Sequence, residues 1–265
     1  MSGWDCHAHV FGPYARFPLA DTSVHSPPEA SVEDYLALLQ RLGLQHGVLV
    51  HPCAYGRDFS ALFAALDRYP QLRGVMVARA QDGLDLRGLR DRGVRALRFS
   101  HRSGGDFPGA ATLDDLQQLA PALAEAGLHA ELWSDTAALA GVIPTLAALP
   151  VPLVIDHAGG FDLDAGVDAA DFRALLGLLE GGNTWIKLCL YRNLLHKPAP
   201  ERGRAFQQAL QQARADRLLW GSDWPHLRVE PAPETAELLA GFRAWAGDDA
   251  LVQQILEEHP RQLYA

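Results

Sequence analysis

Residues suited to acid–base chemistry or metal binding occur near both ends of the chain. The segment "DCHAHVFGP" (5–13) carries His7 and His9 one residue apart, and "GSDWPH" (221–226) carries Asp223. Imidazole and carboxylate groups accept and donate protons in enzymes, and they are also common ligands of divalent metals. The two segments therefore predict a site for general acid–base catalysis, for a metal, or for both.

Eight short apolar or β-branched segments alternate with segments of helical periodicity, such as 31–43, 58–70 and 112–127. This alternation predicts a parallel sheet, and eight repeats in 265 residues are typical of a (β/α)8 TIM barrel. We therefore expect a single domain over 1–265. A doubly wound open sheet is the alternative, but no glycine-rich dinucleotide-binding pattern follows the first segment. The predicted strands are 3–11, 46–52, 72–79, 94–100, 128–134, 152–159, 184–192 and 217–225.

Polar residues stand at the ends of several of these predicted strands. Because alternate side chains share one face of a strand, Asp5, His7 and His9 are expected on the same side. In a barrel, polar residues at the carboxyl ends of the strands meet at one mouth, where active sites lie. A lone histidine there is more often a packed residue, whereas several converging groups favour catalysis. The other polar strand ends are His51, Arg98, Asp156, His157, Asp223 and His226.

Asp223 is the strongest candidate for a general base. Trp220 and Gly221 precede it, and Trp224 and Pro225 follow it. An apolar surrounding of this kind is expected to raise the pKa of the carboxyl group and so its basicity.

Four arginines at the ends of predicted strands or just after them suggest an anionic substrate. Guanidinium groups bind carboxylates through paired hydrogen bonds, so together they predict a positively charged mouth. Each arginine taken alone is equally compatible with an ordinary surface role. The candidate substrate-binding residues are Arg57, Arg98, Arg102 and Arg192, with Tyr55 and His51 as further hydrogen-bonding groups.

The overall composition narrows the class of protein. A net charge of −9 without a Lys/Arg-rich block argues against binding to nucleic acid or to an anionic membrane surface. No apolar segment is long enough to span a membrane, and the first residues carry no export signal. Three widely spaced cysteines indicate reduced thiols, so we expect a cytoplasmic protein. The oligomeric state stays open, a homo-oligomer included.

Motifs along nearly the whole chain resemble the amidohydrolase superfamily. They are "DCHAH" (5–9), "DHAGG" (156–160), "WIKL" (185–188) and "GSDWPH" (221–226), and the closing "HPRQLY" fits the same pattern. The resemblance is closest to the amidohydrolase 2 branch. Within it, "DCHAHVFGPYARFP" and "VLVHPCAYGRD" are similar to the group that contains 2-pyrone-4,6-dicarboxylate lactonase and sugar lactonases.

The resemblance implies hydrolysis of a lactone at the barrel mouth. It makes Asp223 the base that takes a proton from water, and it makes His7, His9 and His157 the groups that bind the lactone carbonyl. The expected substrate is a carboxylated or sugar-acid lactone. The alternative is a Zn-dependent decarboxylase or hydratase of the same branch.

The same resemblance bears on a metal cofactor. The usual single-metal site of the superfamily adds a fifth-strand histidine to the first-strand pair and the eighth-strand aspartate. Here the fifth predicted strand has only His129, which stands at its start and so at the wrong end of the barrel. We therefore expect that no cofactor is required. The alternative is a single Zn²⁺ held by His7, His9 and Asp223.

Overall fold

The computed structural model describes residues 2–21, 23, 26–106, 109–195 and 197–265. Its strands are β1 Gly3–Ala8, β2 Leu44–Val50, β3 Leu72–Val77, β4 Val94–His101, β5 His129–Ser134, β6 Leu153–Ile155, β7 Thr184–Leu188 and β8 Leu218–Trp220. They are parallel and pair in chain order. Just beyond β8, Asp223 N donates to His7 O and His9 N donates to Trp224 O, both at 2.8 Å, which closes the sheet. The predicted (β/α)8 barrel is confirmed.

Several strands end earlier than the sequence predicts. After β6 and β8 the backbone turns sharply, because His157 and Asp223 have φ angles of 51° and 57°. These angles belong to the left-handed region, which a strand cannot use. The polar residues therefore lie on turns at the mouth of the barrel, beyond the regular sheet. The predicted segments that extend too far are 3–11, 152–159, 184–192 and 217–225.

The helices pack around the sheet, and two of them begin and end at the residue types that such ends prefer. Ser31 and Thr112 cap the amino ends of two helices through reciprocal hydrogen bonds with Asp34 and Asp115. Glycines in the left-handed conformation end the same two helices. The helices are α1 Val32–Leu42, α2 Ser60–Arg68, α3 Leu86–Asp91, α4 Leu113–Ala126, α5 Thr136–Ala140, α6 Ile143–Ala147, α7 Ala170–Glu180, α8 Tyr191–Leu194, α9 Gly203–Arg214, α10 Thr235–Ala246, α11 Asp249–Gln253 and α12 His259–Tyr264.

The inside of the barrel contains both an apolar layer and a set of charged residues. Glu131, Asp156 and Lys187 are fully buried there, which is unusual for charged groups. No helix among the described residues is long and apolar enough to cross a membrane. The apolar layer consists of Trp4, Cys6, Val48, Val50, Val75, Ala96, Val154, Trp185, Leu219 and Tyr264.

Candidate active site

The four residues predicted to be catalytic lie together at the mouth of the barrel. The ring centroids of His7 and His9 are 5.1 Å apart, and those of His7 and His157 are 4.9 Å apart. Asp223 Oδ1 lies 3.2 Å from His9 Nε2 and 3.7 Å from His7 Nε2. The turns after β6 and β8 point His157 and Asp223 toward two histidines, His7 on β1 and His9 just after it.

The carboxylate of Asp223 is held on one side and open to the histidines on the other. Its Oδ2 accepts hydrogen bonds from Tyr191 Oη, at 2.7 Å, and from Arg192 Nε. Burial alone would raise the pKa of Asp223, but His157, His9 and Arg192 together hold it well below the ordinary value of 3.8. The expectation of a raised pKa was wrong, because the Arg192 guanidinium and the neighbouring histidines outweigh the effect of burial.

The histidines differ in which ring nitrogen carries a hydrogen. His9 Nδ1 lies 2.7 Å from Val50 O, and a carbonyl oxygen can only accept, so Nδ1 donates and Nε2 faces Asp223. His157 Nδ1 and His7 Nε2 are buried and have no hydrogen-bond partner among the described residues. Burial lowers the pKa of His7 to about 4 and that of His157 to about 3, so both rings are neutral at pH 7.

A charged network, which the sequence analysis did not identify, lies below these residues inside the barrel. Lys187 Nζ donates to Glu131 Oε2 and also lies 3.2 Å from Asp156 Oδ1. Asp156 Oδ2 accepts from Arg98 Nε at 2.7 Å, and Glu131 Oε1 accepts from Tyr264 Oη at 2.7 Å. Two opposite-charge pairs therefore balance each other, Lys187–Glu131 fully buried and Arg98–Asp156 partly exposed at Arg98.

The network touches the site through His7. Lys187 Nζ lies 3.2 Å from His7 Nδ1 with hydrogen-bond geometry. Asp156 Oδ1 is also 3.2 Å from His7 Nδ1 and 3.2 Å from Lys187 Nζ, but its contact with the His7 ring lacks hydrogen-bond geometry. Lys187 is therefore the hydrogen-bond partner of His7 Nδ1.

Asp5 does not share the site with His7 and His9, contrary to the alternation of a regular strand. The pairing of β1 with β2 shifts between Asp5 and Ala8, which breaks the alternation. The carboxylate of Asp5 instead accepts hydrogen bonds from the backbone N and the Oγ of Ser222, at 2.8 and 2.6 Å. Asp5 thus holds in place the residue that precedes Asp223.

The predicted substrate-binding arginines have different surroundings. Arg192 is bound to Asp223, Arg98 to Asp156, and the exposed Arg57 to Asp82. The guanidinium carbon of Arg102 lies 4.4 Å from the ring centroid of Trp133, and Arg98 packs over the same ring. No carboxylate of the described residues lies within ion-pair distance of Arg102.

Tyr55 and His51 are buried beside the loops that follow β1 and β2. The hydroxyl of Tyr55 accepts a hydrogen bond from Gly12 N at 2.6 Å, and His51 Nε2 donates to Gly56 O at 2.9 Å. These contacts hold the loops in place. A role for either side chain in substrate binding stays a prediction.

Comparison with known proteins places this site in a family. The amidohydrolase (Amidohydro_2) family model matches residues 4–265. The chain belongs to the amidohydrolase family. It is 35% identical over 267 residues to 4-sulfomuconolactone hydrolase of Rhizobium radiobacter, a match that covers 98% of this chain and 89% of that protein. It is 32% identical over 274 residues to 2-pyrone-4,6-dicarboxylate hydrolase of Comamonas testosteroni, with the same coverage of 98% and 89%.

A solved structure agrees with these matches. It is described as a probable 2-pyrone-4,6-dicarboxylic acid hydrolase of Acinetobacter baumannii with citric acid bound. It superposes on this amidohydrolase with a TM-score of 0.87 and 26% sequence identity, over 100% of this chain and 99% of that chain. The resemblance predicted from the sequence motifs is confirmed.

The amidohydrolase site contains residue types that bind metals, and their hydrogen bonding tests whether they fit one. One possible ligand atom each from His7, His9 and Asp223 lies within 4.8 Å of the others. His9 is oriented as a ligand, because its Nδ1 donates to a carbonyl and leaves a lone pair on Nε2 of the neutral ring. His7 is oriented as a ligand only if Nδ1 donates to Asp156 Oδ1, because with Lys187 as the donor Nδ1 accepts and Nε2 carries the hydrogen.

The other groups of possible ligands overlap with the first. One of them uses His7 again, with Asp156 and His157. The other uses Cys189, with His157 and Asp223, and all three residues are buried. A hydrogen bond from Lys187 to His7 therefore disfavours a metal at the two groups that contain His7.

Proposed function

We propose that this amidohydrolase opens the ring of a carboxylated or otherwise anionic lactone by general-base activation of water. The observation that carries the proposal is the position of Asp223, an ionised carboxylate with one oxygen anchored and the other facing the histidines at the mouth. The relatives named as lactone hydrolases support the same reaction. The alternative, a Zn-dependent decarboxylase or hydratase, finds possible metal ligands in His7, His9 and Asp223, but the relatives named as lactone hydrolases do not favour it.

The attacking water belongs at Asp223 Oδ1, the carboxylate oxygen that faces the histidines. At 3.2 Å this oxygen is too close to His9 Nε2 for a water molecule to lie between the two atoms, so the water contacts Oδ1 from the side. As the water oxygen forms its bond to the lactone carbonyl carbon, Asp223 takes one of the water protons. Because Arg192 and Tyr191 hold the other carboxylate oxygen, Asp223 needs no reorientation during this step.

In the proposed complex the carbonyl oxygen of the lactone lies next to His7 Nε2. The hydrogen on His7 Nε2 has no partner among the described residues, so it is available to stabilise negative charge on that oxygen. His157, neutral and packed against His7, lies beside the same position. When the tetrahedral intermediate collapses, the ring C–O bond breaks and the leaving oxygen takes the proton held by Asp223. The product is a ring-opened hydroxy acid or its keto form.

Arg102 and Trp133 provide a place for the anionic group of the substrate. The guanidinium of Arg102 stacks on Trp133 and has no ion-pair partner among the described residues. Arg98, which is paired with Asp156, contacts the same ring. A carboxylate or sulfonate of the substrate would therefore meet one unpaired guanidinium and one that is already anchored.

We propose that this reaction requires no metal, although the superfamily contains metal enzymes. Lys187, Arg98 and Arg192 already supply positive charge beside the carboxylates of the site. The hydrogen on His7 Nε2 replaces a Lewis acid in polarising the carbonyl. The protein is expected to act on a small molecule, and its location in the cytoplasm stays a prediction.

The proposal is tested by hydrolysis of a lactone panel, followed with a pH indicator before and after treatment with a chelator. The panel contains sugar-acid 1,4- and 1,5-lactones, muconolactone, 4-sulfomuconolactone and 2-pyrone-4,6-dicarboxylate. We expect turnover of an anionic lactone that survives chelation and is lost in Asp223→Asn. Turnover lost on chelation and restored by Zn²⁺ would refute the metal-free reaction, and a folded protein without activity on any lactone would refute the function.

A further inference from the structure

Lys187 and Glu131 form a fully buried ion pair that no step of the proposed reaction uses. Both side chains have 0% exposure. Burial alone would lower the pKa of Lys187, but the carboxylates of Asp156 and Glu131 raise it above the ordinary value. Lys187 is therefore an ammonium ion with three hydrogens and no lone pair. A charge buried inside a barrel is costly unless it is paired and hydrogen-bonded, as Lys187 is here.

The hydrogen bond of Lys187 to His7 decides the chemistry of His7. His7 Nδ1 has two polar atoms at 3.2 Å, the donor Lys187 Nζ and the acceptor Asp156 Oδ1. With Lys187 as partner, His7 presents a hydrogen on Nε2 toward the mouth. With Asp156 as partner, His7 would present a lone pair there instead. The second arrangement is the carboxylate–histidine pair that supports a metal ligand.

We propose that Lys187, held by Glu131, is a positioning residue that keeps His7 in the form with hydrogen on Nε2 and so prevents the site from binding a metal. Asp156 Oδ1 already lies 3.2 Å from His7 Nδ1, so removal of the lysine would leave this carboxylate as the polar neighbour of Nδ1. His9 and Asp223 would then complete a set of three ligands. The catalytic consequence rests on the proposed lactone hydrolysis, whereas the ring form of His7 and the affinity for metal do not.

The first measurement is the ¹⁵N NMR spectrum of protein labelled at histidine, with the His7 signals assigned through His7→Gln. In the wild-type protein we expect a pyrrole-type signal for Nε2 and a pyridine-type signal for Nδ1. In the charge-balanced double variant Glu131→Gln/Lys187→Met, the two assignments should exchange. Because the wild-type result depends on His7→Gln for assignment but not on the double variant, a His7 with hydrogen on Nδ1 would overturn the proposal even if the double variant failed to fold.

The second measurement is titration with Co²⁺, followed by its visible absorption. We expect the double variant to bind Co²⁺ about 10- to 100-fold more tightly than the wild-type protein, the usual size of an effect from a group that orients a metal ligand. The matched control is Lys197→Met, since Lys197 is the other lysine of the sequence and pairs with Asp164 outside the site. It should change neither the ring form of His7 nor the affinity.

Either of two results from the folded double variant would refute the proposal. One is a His7 that still carries hydrogen on Nε2, and the other is Co²⁺ binding no tighter than in wild type. Loss of lactone hydrolysis in the variant is expected as well, but it does not decide the matter. A protein without lactonase activity whose His7 and Co²⁺ results are as expected would refute the proposed function and leave this inference standing.

Discussion

The ion pairs inside the barrel and those between the outer helices use the same side chains in different surroundings. Lys187 and Glu131 are fully buried, whereas Arg87 and Glu125 are 74% and 75% exposed. Outside, water screens the charges and the long side chains lose conformational freedom, so such pairs contribute little. Inside, each charge depends on its partner, because an unpaired buried ion is strongly unfavourable.

The difference shows what each kind of pair is for. A buried pair is a poor way to gain stability, since a well-packed apolar replacement of both partners is often as stable. Here the buried charges orient groups of the site: Lys187 orients His7, and Arg192 fixes one oxygen of Asp223. The surface pairs orient no functional group. Substitutions in the two sets should therefore differ in size and in what they change.

The largest expected effect is on catalysis. Asp223→Asn keeps the shape and the contacts with Tyr191 and Arg192 but cannot take a proton, so kcat should fall by about 10²- to 10⁴-fold. Steady-state hydrolysis of the best lactone measures this. Asp164→Asn, which removes a carboxylate from a surface pair, is the matched control and should retain activity. An Asp223→Asn enzyme with more than a tenth of the wild-type kcat would contradict the assignment of the base.

The next effect is on stability. Lys187→Met leaves Glu131 and Asp156 buried without their common partner, and should lower the free energy of unfolding by about 3–5 kcal/mol. Urea unfolding of this variant and of Glu131→Gln/Lys187→Met tests the comparison. The double variant should recover a large part of the loss, because it no longer buries the Glu131 charge. If both variants lost the same stability, packing rather than charge would explain the effect.

Lowering the pH should weaken the ion pairs inside the barrel and so lower the stability of the fold. Burial alone would raise the pKa of Glu131, but Lys187 and His129 lower it from 4.5 to about 2, and Lys187 and Arg98 hold the pKa of Asp156 well below 3.8. Ionised forms with lowered pKa values stabilise the fold above the ordinary pKa. That contribution is present at pH 7 and is lost as the pH falls from about 4.5 toward 2. Urea midpoints measured between pH 7 and pH 2 should show it, with a shallower decline in the double variant.

A smaller effect, on substrate binding, is expected from replacing Arg102, which stacks on Trp133. Arg102→Gln should raise KM for an anionic lactone by about 10- to 100-fold, since it removes a charge-assisted hydrogen bond to the substrate, with little change in kcat. Arg57→Gln is the comparison, because Arg57 is already paired with Asp82 and 56% exposed. It should change KM less. Equal effects of the two substitutions would argue for a general influence of positive charge at the mouth.

The smallest effect is expected on the surface. Arg87→Gln breaks the exposed pair with Glu125 and should leave the urea midpoint and kcat unchanged within error. A clear loss of stability would show that the outer pairs matter more than their exposure indicates.

Much of the fold and the core of the site were predictable from the sequence. The barrel was predictable from eight apolar segments with helical segments between them. The two can be told apart because side chains repeat about every two residues along a strand and about every 3.6 along a helix. His7, His9, His157 and Asp223 were found because polar residues at strand ends meet at one mouth in a parallel barrel. The strand ends were predicted too far along the chain, since the left-handed turns at His157 and Asp223 leave no signal in hydrophobicity.

The sequence by itself determined the barrel, its polar mouth and the family motifs, because these depend on short-range periodicity and on residue types. Only the tertiary structure decided which groups face one another across the interior. Lys187 on β7 meets Glu131 on β5 and His7 on β1, three strands that no local pattern connects. The lowered pKa of Asp223 and the turned side chain of Asp5 have the same origin. Electrostatic surroundings and side-chain directions are set by neighbours distant in the chain, so they appear only once the barrel is closed.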